Sequence, residues 1–256
     1  MKLATWNVNS LNARLPRVLE VLEAHRPDLV FLQETKCDPG AFPVDALAQA
    51  GYAAAHHSGG RWAGVALLAP QGTGIGEVCN GLAGEPAVDE ARWLEAGVGG
   101  IRAVSVYVPN GRAVGTPTFA DKLRFLDAAA ERVAELAAAG EVAIAGDFNV
   151  CPSDLDVYDP AAFAGSTHVT PEERERFAAL LEAGVVDAFR ELHPGEPGFT
   201  WWDYRQGHFH RKMGLRIDAF LLSPGLAGRL ESCGIDRGFR KGPKPSDHAP
   251  LLAELG

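Results

Sequence analysis

EVAIAGDFNV, residues 141–150, is the stretch on which the reading of this chain turns. Its first half is a short run of small and β-branched apolar residues without polar alternation, the pattern of a strand covered on both faces. The run breaks at Gly146 into Asp147, Phe148 and Asn149. A Gly–Asp turn is one reading of that break. Two hydrogen-bonding side chains at the end of a buried strand also suit holding a water and a phosphate group.

The same short apolar pattern recurs along the chain. Strands are expected at Lys2–Val8, Asp28–Gln33, Gly64–Ala69, Arg92–Ala96, Ile101–Val108, Glu141–Ala145, Arg216–Leu222 and Pro250–Leu255. Helices are expected between them. Leu15, Val18, Leu19 and Leu22 fall at helical spacing, with Pro16 near the helix start. A long helix follows Thr118, with Leu123, Leu126, Ala130, Val133 and Leu136 on one face. A third follows Thr170, opened by Pro171, with Glu172 and Glu173 complementing its dipole. Strands outnumber helices, and several follow one another directly. This argues against a regularly alternating doubly wound sheet and for two packed sheets with helices on the outer faces.

Composition narrows the class. Of 256 residues, 46% are hydrophobic, enough for a sizeable core. No apolar run reaches the roughly 18–20 residues of a membrane span, and Met1 leads straight into a strand rather than a signal peptide. A cytoplasmic protein without membrane partners is expected. Cys37, Cys79, Cys151 and Cys233 are scattered, with no CxxC pair, and read as free thiols. A net charge of −9 runs against a phosphate-rich partner. Basic clusters at Arg205–Arg216 and Arg237–Lys244 run the other way, unless they are only solvated surface.

Five polar motifs stand at or just past strand ends: Thr5–Ser10, Leu32–Lys36, Gly146–Val150, Leu215–Asp218 and Pro245–Pro250. Strand ends can present side chains to a shared cleft. Taken singly, Asn7 is a turn residue and Ser246–Asp247–His248 a cap. Glu34, after a buried run, and Asp218, within one, each need a cation or donors to be tolerated there. Five such motifs in one chain are hard to explain as turns. Their oxygen donors suit Mg²⁺, and a carboxylate beside a single His can orient it, a set fit for metal-assisted phosphoryl transfer to water. Because the motifs run from residue 7 to residue 248, one domain spanning 1–256 is expected.

From KLATWNVNSLNARL through DLVFLQETK, YVPNG, AGDFNVCPSDLDV, VDAFRELHP, FTWWDYR and GLRIDAFLLS to KPSDHAP, the chain resembles the exonuclease III family of DNA-repair nucleases within the endonuclease/exonuclease/phosphatase superfamily. The resemblance implies a DNase I-like four-layered α/β sandwich, two mixed sheets face to face with helices outside. It implies 3′→5′ exonuclease action, abasic-site incision and 3′-end cleaning on duplex DNA, with Mg²⁺, or Mn²⁺ in its place. Glu34 would hold the metal, with Asn7 and Asp247 close by. Asp147 would orient the attacking water, and Asn149 would fix that water and the phosphate. Tyr107 and Asn110 would contact the phosphate. His248, held by Asp218, would polarise its oxygens. Trp201, Leu215 and Ile217 would wall a pocket for a flipped abasic sugar, one of Trp201 and Trp202 being core, and Trp62 would touch DNA. Asn12 stands where many members of the family have Arg, which removes one phosphate contact. A monomer is expected. Two other readings are a non-catalytic nucleic-acid-binding regulator of the same fold, and a phosphoesterase acting on lipid or inositol phosphates; the intact set of acids, amides and His argues against the first, and FTWWDYR with GLRID against the second.

Overall fold

The computed structural model describes residues 1–256. In chain order the strands are β1 (Lys2–Asn7), β2 (Leu29–Gln33), β3 (Tyr52–His57), β4 (Val65–Pro70), β5 (Ile75–Asn80), β6 (Trp93–Val98), β7 (Ile101–Tyr107), β8 (Val142–Asp147), β9 (Val186–Asp187), β10 (Asp218–Leu222), β11 (Leu230–Ile235) and β12 (Leu251–Leu255). The helices are α1 (Leu11–His25), α2 (Val44–Gln49), α3 (Pro117–Ala139), α4 (Pro171–Glu182), α5 (Ala188–Leu192) and α6 (Pro224–Ala227).

Two six-stranded sheets result, ordered β11-β12-β1-β2-β4-β3 and β5-β6-β7-β8-β10-β9. Each is mixed: β1–β2 and β7–β8 are parallel, and the neighbouring pairs are antiparallel. The eight expected strands are all present within a residue or two. A cluster of 24 buried residues, drawn from the facing sides of both sheets, fills the space between them. Two further clusters lie where helices pack on the outer faces, one with α3 and α4, the other with α1 and α2. This is the four-layered arrangement. A polar bridge also crosses between the sheets: Gln33 Nε2 donates to Ser105 Oγ at 3.2 Å, and Ser105 Oγ donates to the Leu32 carbonyl at 3.0 Å.

Local chemistry sets the helix ends. Thr116 caps α3 by accepting from the Phe119 N–H. Thr170 caps α4 in a reciprocal box with Glu173. Two expectations need correction. Pro16 lies inside α1, which begins at Leu11, so it is tolerated in the second turn rather than marking the start. On α3 the buried face is Phe119, Lys122, Phe125, Leu126, Ala129, Val133 and Leu136, while Leu123 and Ala130 are only half-buried. The face is rotated because a charged residue, Lys122, occupies part of it.

Candidate active site

Strand register builds the site. Parallel pairing places Tyr107 beside Asp147 at the ends of β7 and β8, and antiparallel pairing places Asp218, the first residue of β10, on Asp147's other side. In the other sheet Asn7 ends β1 opposite Gln33, and Glu34 follows at once. Gly146 makes the close approach possible: a Cβ there would fall 1.9 Å from the Val106 carbonyl oxygen. The Ser246–His248 loop is tied down from below. Ser246 Oγ donates to the Asn7 carbonyl at 2.7 Å, and Trp6 Nε1 donates to the His248 carbonyl at 3.0 Å.

The side chains then interlock. Asn7 Nδ2 donates to Glu34 Oε1 at 2.8 Å and to Asp147 Oδ2 at 2.9 Å, joining the two sheets' acids through one amide. His248 Nδ1 lies 2.8 Å from Asp218 Oδ2, and His248 Nε2 lies 3.7 Å from Asp147 Oδ2. The Asn149 N–H donates to Asp147 Oδ1 at 2.9 Å, with Asn149 itself in the left-handed region at φ 53°. Its side chain donates to the Val108 carbonyl at 2.9 Å and accepts from Asn110 Nδ2 at 3.1 Å. Ligand atoms of Glu34, Asp147 and His248 all lie within 4.8 Å of one another.

The electrostatics follow from this crowding. Burial raises the Asp147 carboxyl, His248 opposes, and the charges of Asp218 and Glu34 push it further, to about 8. Burial would lower His248, but Asp218 and Asp147 outweigh it and raise the imidazole to about 10. Burial, then the charge of Glu34, raises the Tyr107 phenol well above its usual value, so it stays a donor. A buried acid set holding more negative charge than it can neutralise fits a small oxygen-liganded cation. The donors are the Glu34 and Asp147 carboxylates, and the cations already beside them are the His248 imidazolium and Lys36, whose Nζ lies 2.6 Å from Glu34 Oε2. Beside the site a cleft of about 300 Å³ is lined by Glu34, Lys36, Trp62, Arg92, Tyr107 and Asn110, among others.

Residues 4–248 match the model of the endonuclease/exonuclease/phosphatase family. The chain belongs to that family. It is 34% identical over 274 residues to exodeoxyribonuclease III of Haemophilus influenzae, covering 100% of both chains. Among solved structures it is similar to the 3′ phosphatase NExo from Neisseria bound to a product DNA hairpin, at TM-score 0.97 and 38% identity, covering 100% of this chain and 99% of that one. It is likewise similar to an AP endonuclease from Archaeoglobus fulgidus, at TM-score 0.95 and 33% identity, with the same coverage. The protein is thus a DNA-repair nuclease of the exonuclease III type, a hydrolase with the DNase I-like fold.

Within this family member the structure brings Asn7, Glu34, Tyr107, Asn110, Asp147, Asn149, Asp218 and His248 into one constellation. Asp247 stands apart from the three-residue cluster, its oxygens accepting from Asn9 Nδ2 at 3.0 Å and Trp201 Nε1 at 3.1 Å. Trp62 is 70% exposed on the cleft, whereas Trp202 is core and Trp201 half-buried. Leu215 and Ile217 are 1% and 4% exposed, packed with Cys151 and Val157, so they present no open pocket wall in this conformation. Asn12 reaches only the Ala41 carbonyl, at 3.5 Å. The basic clusters split. Arg216 is buried between Asp156 and Asp187, and Arg240 is buried beneath Tyr204 and Phe209 rings, while Lys212, Lys241 and Lys244 stay in solvent or at its edge. Sequence reading did not single out Asn9, Lys36, Arg92 or Lys122, and gave Glu173 only a helix-dipole role. Lys122 carried a signal, since it falls on the apolar face of α3 between Phe119 and Leu126. No helix is long and apolar enough to cross a membrane, and all four cysteines are unpaired.

Proposed function

We infer that the protein hydrolyses phosphate ester bonds at 3′ ends of duplex DNA, with abasic-site incision at the same centre, using a divalent cation, Mg²⁺ or Mn²⁺. The observation that carries this reading is the joint hold of Asn7 on Glu34 and Asp147, with His248 braced by Asp218 beside them. Glu34 is the metal ligand, Asn7 fixes its carboxylate, and Asp247 holds the neighbouring Asn9 and Trp201 in place. A cation bound there would neutralise charge on the phosphate oxygens. Asp147 orients and deprotonates the water, helped by Asn149, whose backbone N–H sets the carboxylate's rotation. His248 enters the reaction charged and stabilises the non-bridging oxygens as negative charge builds. Tyr107 and Asn110 steer the phosphate from the cleft side, Trp62 meets the DNA strand along that cleft, and Arg92, engaged by Glu90 and the Tyr107 carbonyl, braces Tyr107 from behind.

The 3′-end activity is placed first for two reasons. The Neisseria relative is a 3′ phosphatase, and Leu215 and Ile217 are closed by packing. A flipped abasic sugar would need Trp201 and these two residues to open. The test pairs two substrates, each with Mg²⁺ and then with EDTA: a duplex with a 3′-phosphate at a nick, and an end-blocked duplex with one internal abasic site. Metal-dependent phosphate release faster than incision is expected. Incision outpacing release would reverse the order of the two activities, and silence on both from folded protein would favour the regulatory binder.

A further inference from the structure

Behind the site lies a pair of opposite charges that the chemistry above does not use. Lys122, on the inner face of α3, and Glu173, in the first turn of α4, are both 0% exposed and form an ion pair. Burying two charges is unfavourable unless their remaining donors and acceptors are met. Here they are met, and by a particular set of groups. Lys122 Nζ donates to the Asn149 carbonyl at 2.6 Å and to Thr167 Oγ1 at 3.2 Å, and approaches the Asn110 carbonyl at 3.4 Å. Glu173 accepts from the His168 N–H at 2.9 Å, and from the Thr170 N–H and hydroxyl at 3.0 and 2.8 Å. Thr167 Oγ1 sits within 3.1 Å of the Asn110 carbonyl and 2.8 Å of Glu173 Oε1.

Two of these contacts are with the backbones of the residues whose amides meet at the site mouth, Asn110 and Asn149. Asn149 is a non-glycine residue in the left-handed region, a conformation that persists only where its surroundings impose it. Its carbonyl is gripped from inside by Lys122 and by His168 Nδ1 at 2.5 Å. The Asn149 N–H, on the preceding peptide plane, donates to Asp147 Oδ1, so the residue is pinned through both of its peptide groups. A simple helix-to-helix tie between α3 and α4 would need Glu173 and Lys122 but not the Asn149 carbonyl.

We propose that Lys122 and Glu173 are positioning residues for the hydrolytic step, holding Asn149 in its left-handed conformation and through it setting the carboxylate of Asp147. The inference rests on the hydrolase reading above. Lys122 touches neither substrate nor metal; its effect falls on kcat.

Single substitutions would leave one buried charge alone and destabilise the fold, so the double variant Lys122→Met/Glu173→Gln is the decisive one. Gln keeps one acceptor oxygen, which can serve the His168 N–H or the Thr170 N–H and hydroxyl but not both, and both charges are gone. Melting temperature, kcat and KM are read on the 3′-phosphate duplex, alongside a crystal structure of the variant. The expected result is a melting temperature within a few degrees of the parent, kcat lowered at least about tenfold and KM within about twofold. In the crystal, Asn149 leaves the left-handed region or its N–H parts from Asp147. Parent-like kcat in a folded double variant overturns the proposal, as does a loss carried by KM alone. If the parent itself does not turn over, the hydrolase reading fails, and the crystal structure alone decides this one: an unmoved Asn149 overturns it. Should the double variant not fold, Thr167→Val removes one hydroxyl of the network and no charge. A kcat lowered about threefold at constant KM then supports the proposal, and an unchanged kcat overturns it.

Discussion

Two regions of the sandwich bury carboxylates in opposite company. Midway along β6, facing α3, Glu95 is buried, but Arg132 bonds both of its oxygens at 2.9 Å, Arg102 Nη2 lies 3.1 Å away, and Trp93 Nε1 donates at 2.8 Å. Burial pushes that carboxyl up, and Arg132, Trp93 and Arg102 together outweigh it and hold it below the usual range. At the active end Asp147 is just as buried, and its nearest acids are Asp218 and Glu34. A hollow of about 820 Å³ opens at the end of this sheet away from the site, lined partly by Arg102 and Arg132, against about 300 Å³ beside the site. Cavity size therefore points to the wrong end of the molecule. What marks the working end is a buried acid whose needs its own protein leaves unmet.

That contrast can be broken most directly at Asp147. Asp147→Asn should lower kcat about 10³-fold while leaving DNA affinity nearly unchanged. It should also raise the melting temperature of the metal-free protein at pH 7.5, because a raised acid loses stability as pH climbs from its unfolded value toward about 8. Gel-shift and calorimetry on the variant check both; equal loss of binding and turnover would remove the water-orienting role. Asp218→Asn comes next, with turnover down about 10²-fold and an altered pH profile. His248 is raised to about 10, so its charge stabilises the fold fully below its unfolded pKa, about 6.5, and that support is lost as pH rises through about 10. Removing Asp218 takes away the larger of the two raising charges, so the alkaline limb of activity should move down toward neutrality. A limb that stays put would show that His248 does not need Asp218.

Smaller effects sharpen the comparison. Glu34→Gln should raise the Mg²⁺ concentration for half-maximal activity about tenfold, measured by metal titration at saturating DNA; an unchanged titration would exclude Glu34 as a ligand. At the arginine-clamped acid, Glu95→Gln should leave kcat and the metal titration untouched. It should destabilise the fold by about 2 kcal/mol, seen as a melting point about 5 °C lower. A change in turnover there would mean the two regions are coupled.

How much of this the sequence disclosed depended on where a residue sits in its sheet. The expected strands include every interior strand: β1, β2, β4, β6, β7, β8, β10 and β12. Their side chains are covered on both faces, so they read as apolar runs. The four not expected, β3, β5, β9 and β11, are the four sheet edges. YAAAHH, IGEVCN and LESCGI mix Ala, Gly and polar residues because one flank meets water, and β9 has two residues. Edges carry such residues by physical necessity, since a long apolar edge would recruit other chains. The site followed the same logic. Asp147, Asp218 and Glu34 stood out as charges interrupting apolar runs, whereas Lys122, although it falls on the apolar face of α3, reads as one more lysine of an amphipathic helix. Its partner Glu173 was read as a dipole complement, a role it shares with the buried pair.

The tie between β1 and the Ser246–His248 loop has a consequence for when the protein becomes active. Asn7 meets Asp147 across 140 positions of chain, and Trp6 holds the His248 carbonyl across 242. A chain still being translated cannot place His248, and contacts this far apart in sequence form late in folding. Until its last strand closes against its first, the polypeptide has no intact hydrolytic centre, so an unfinished or truncated copy would not cut the nucleic acid around it.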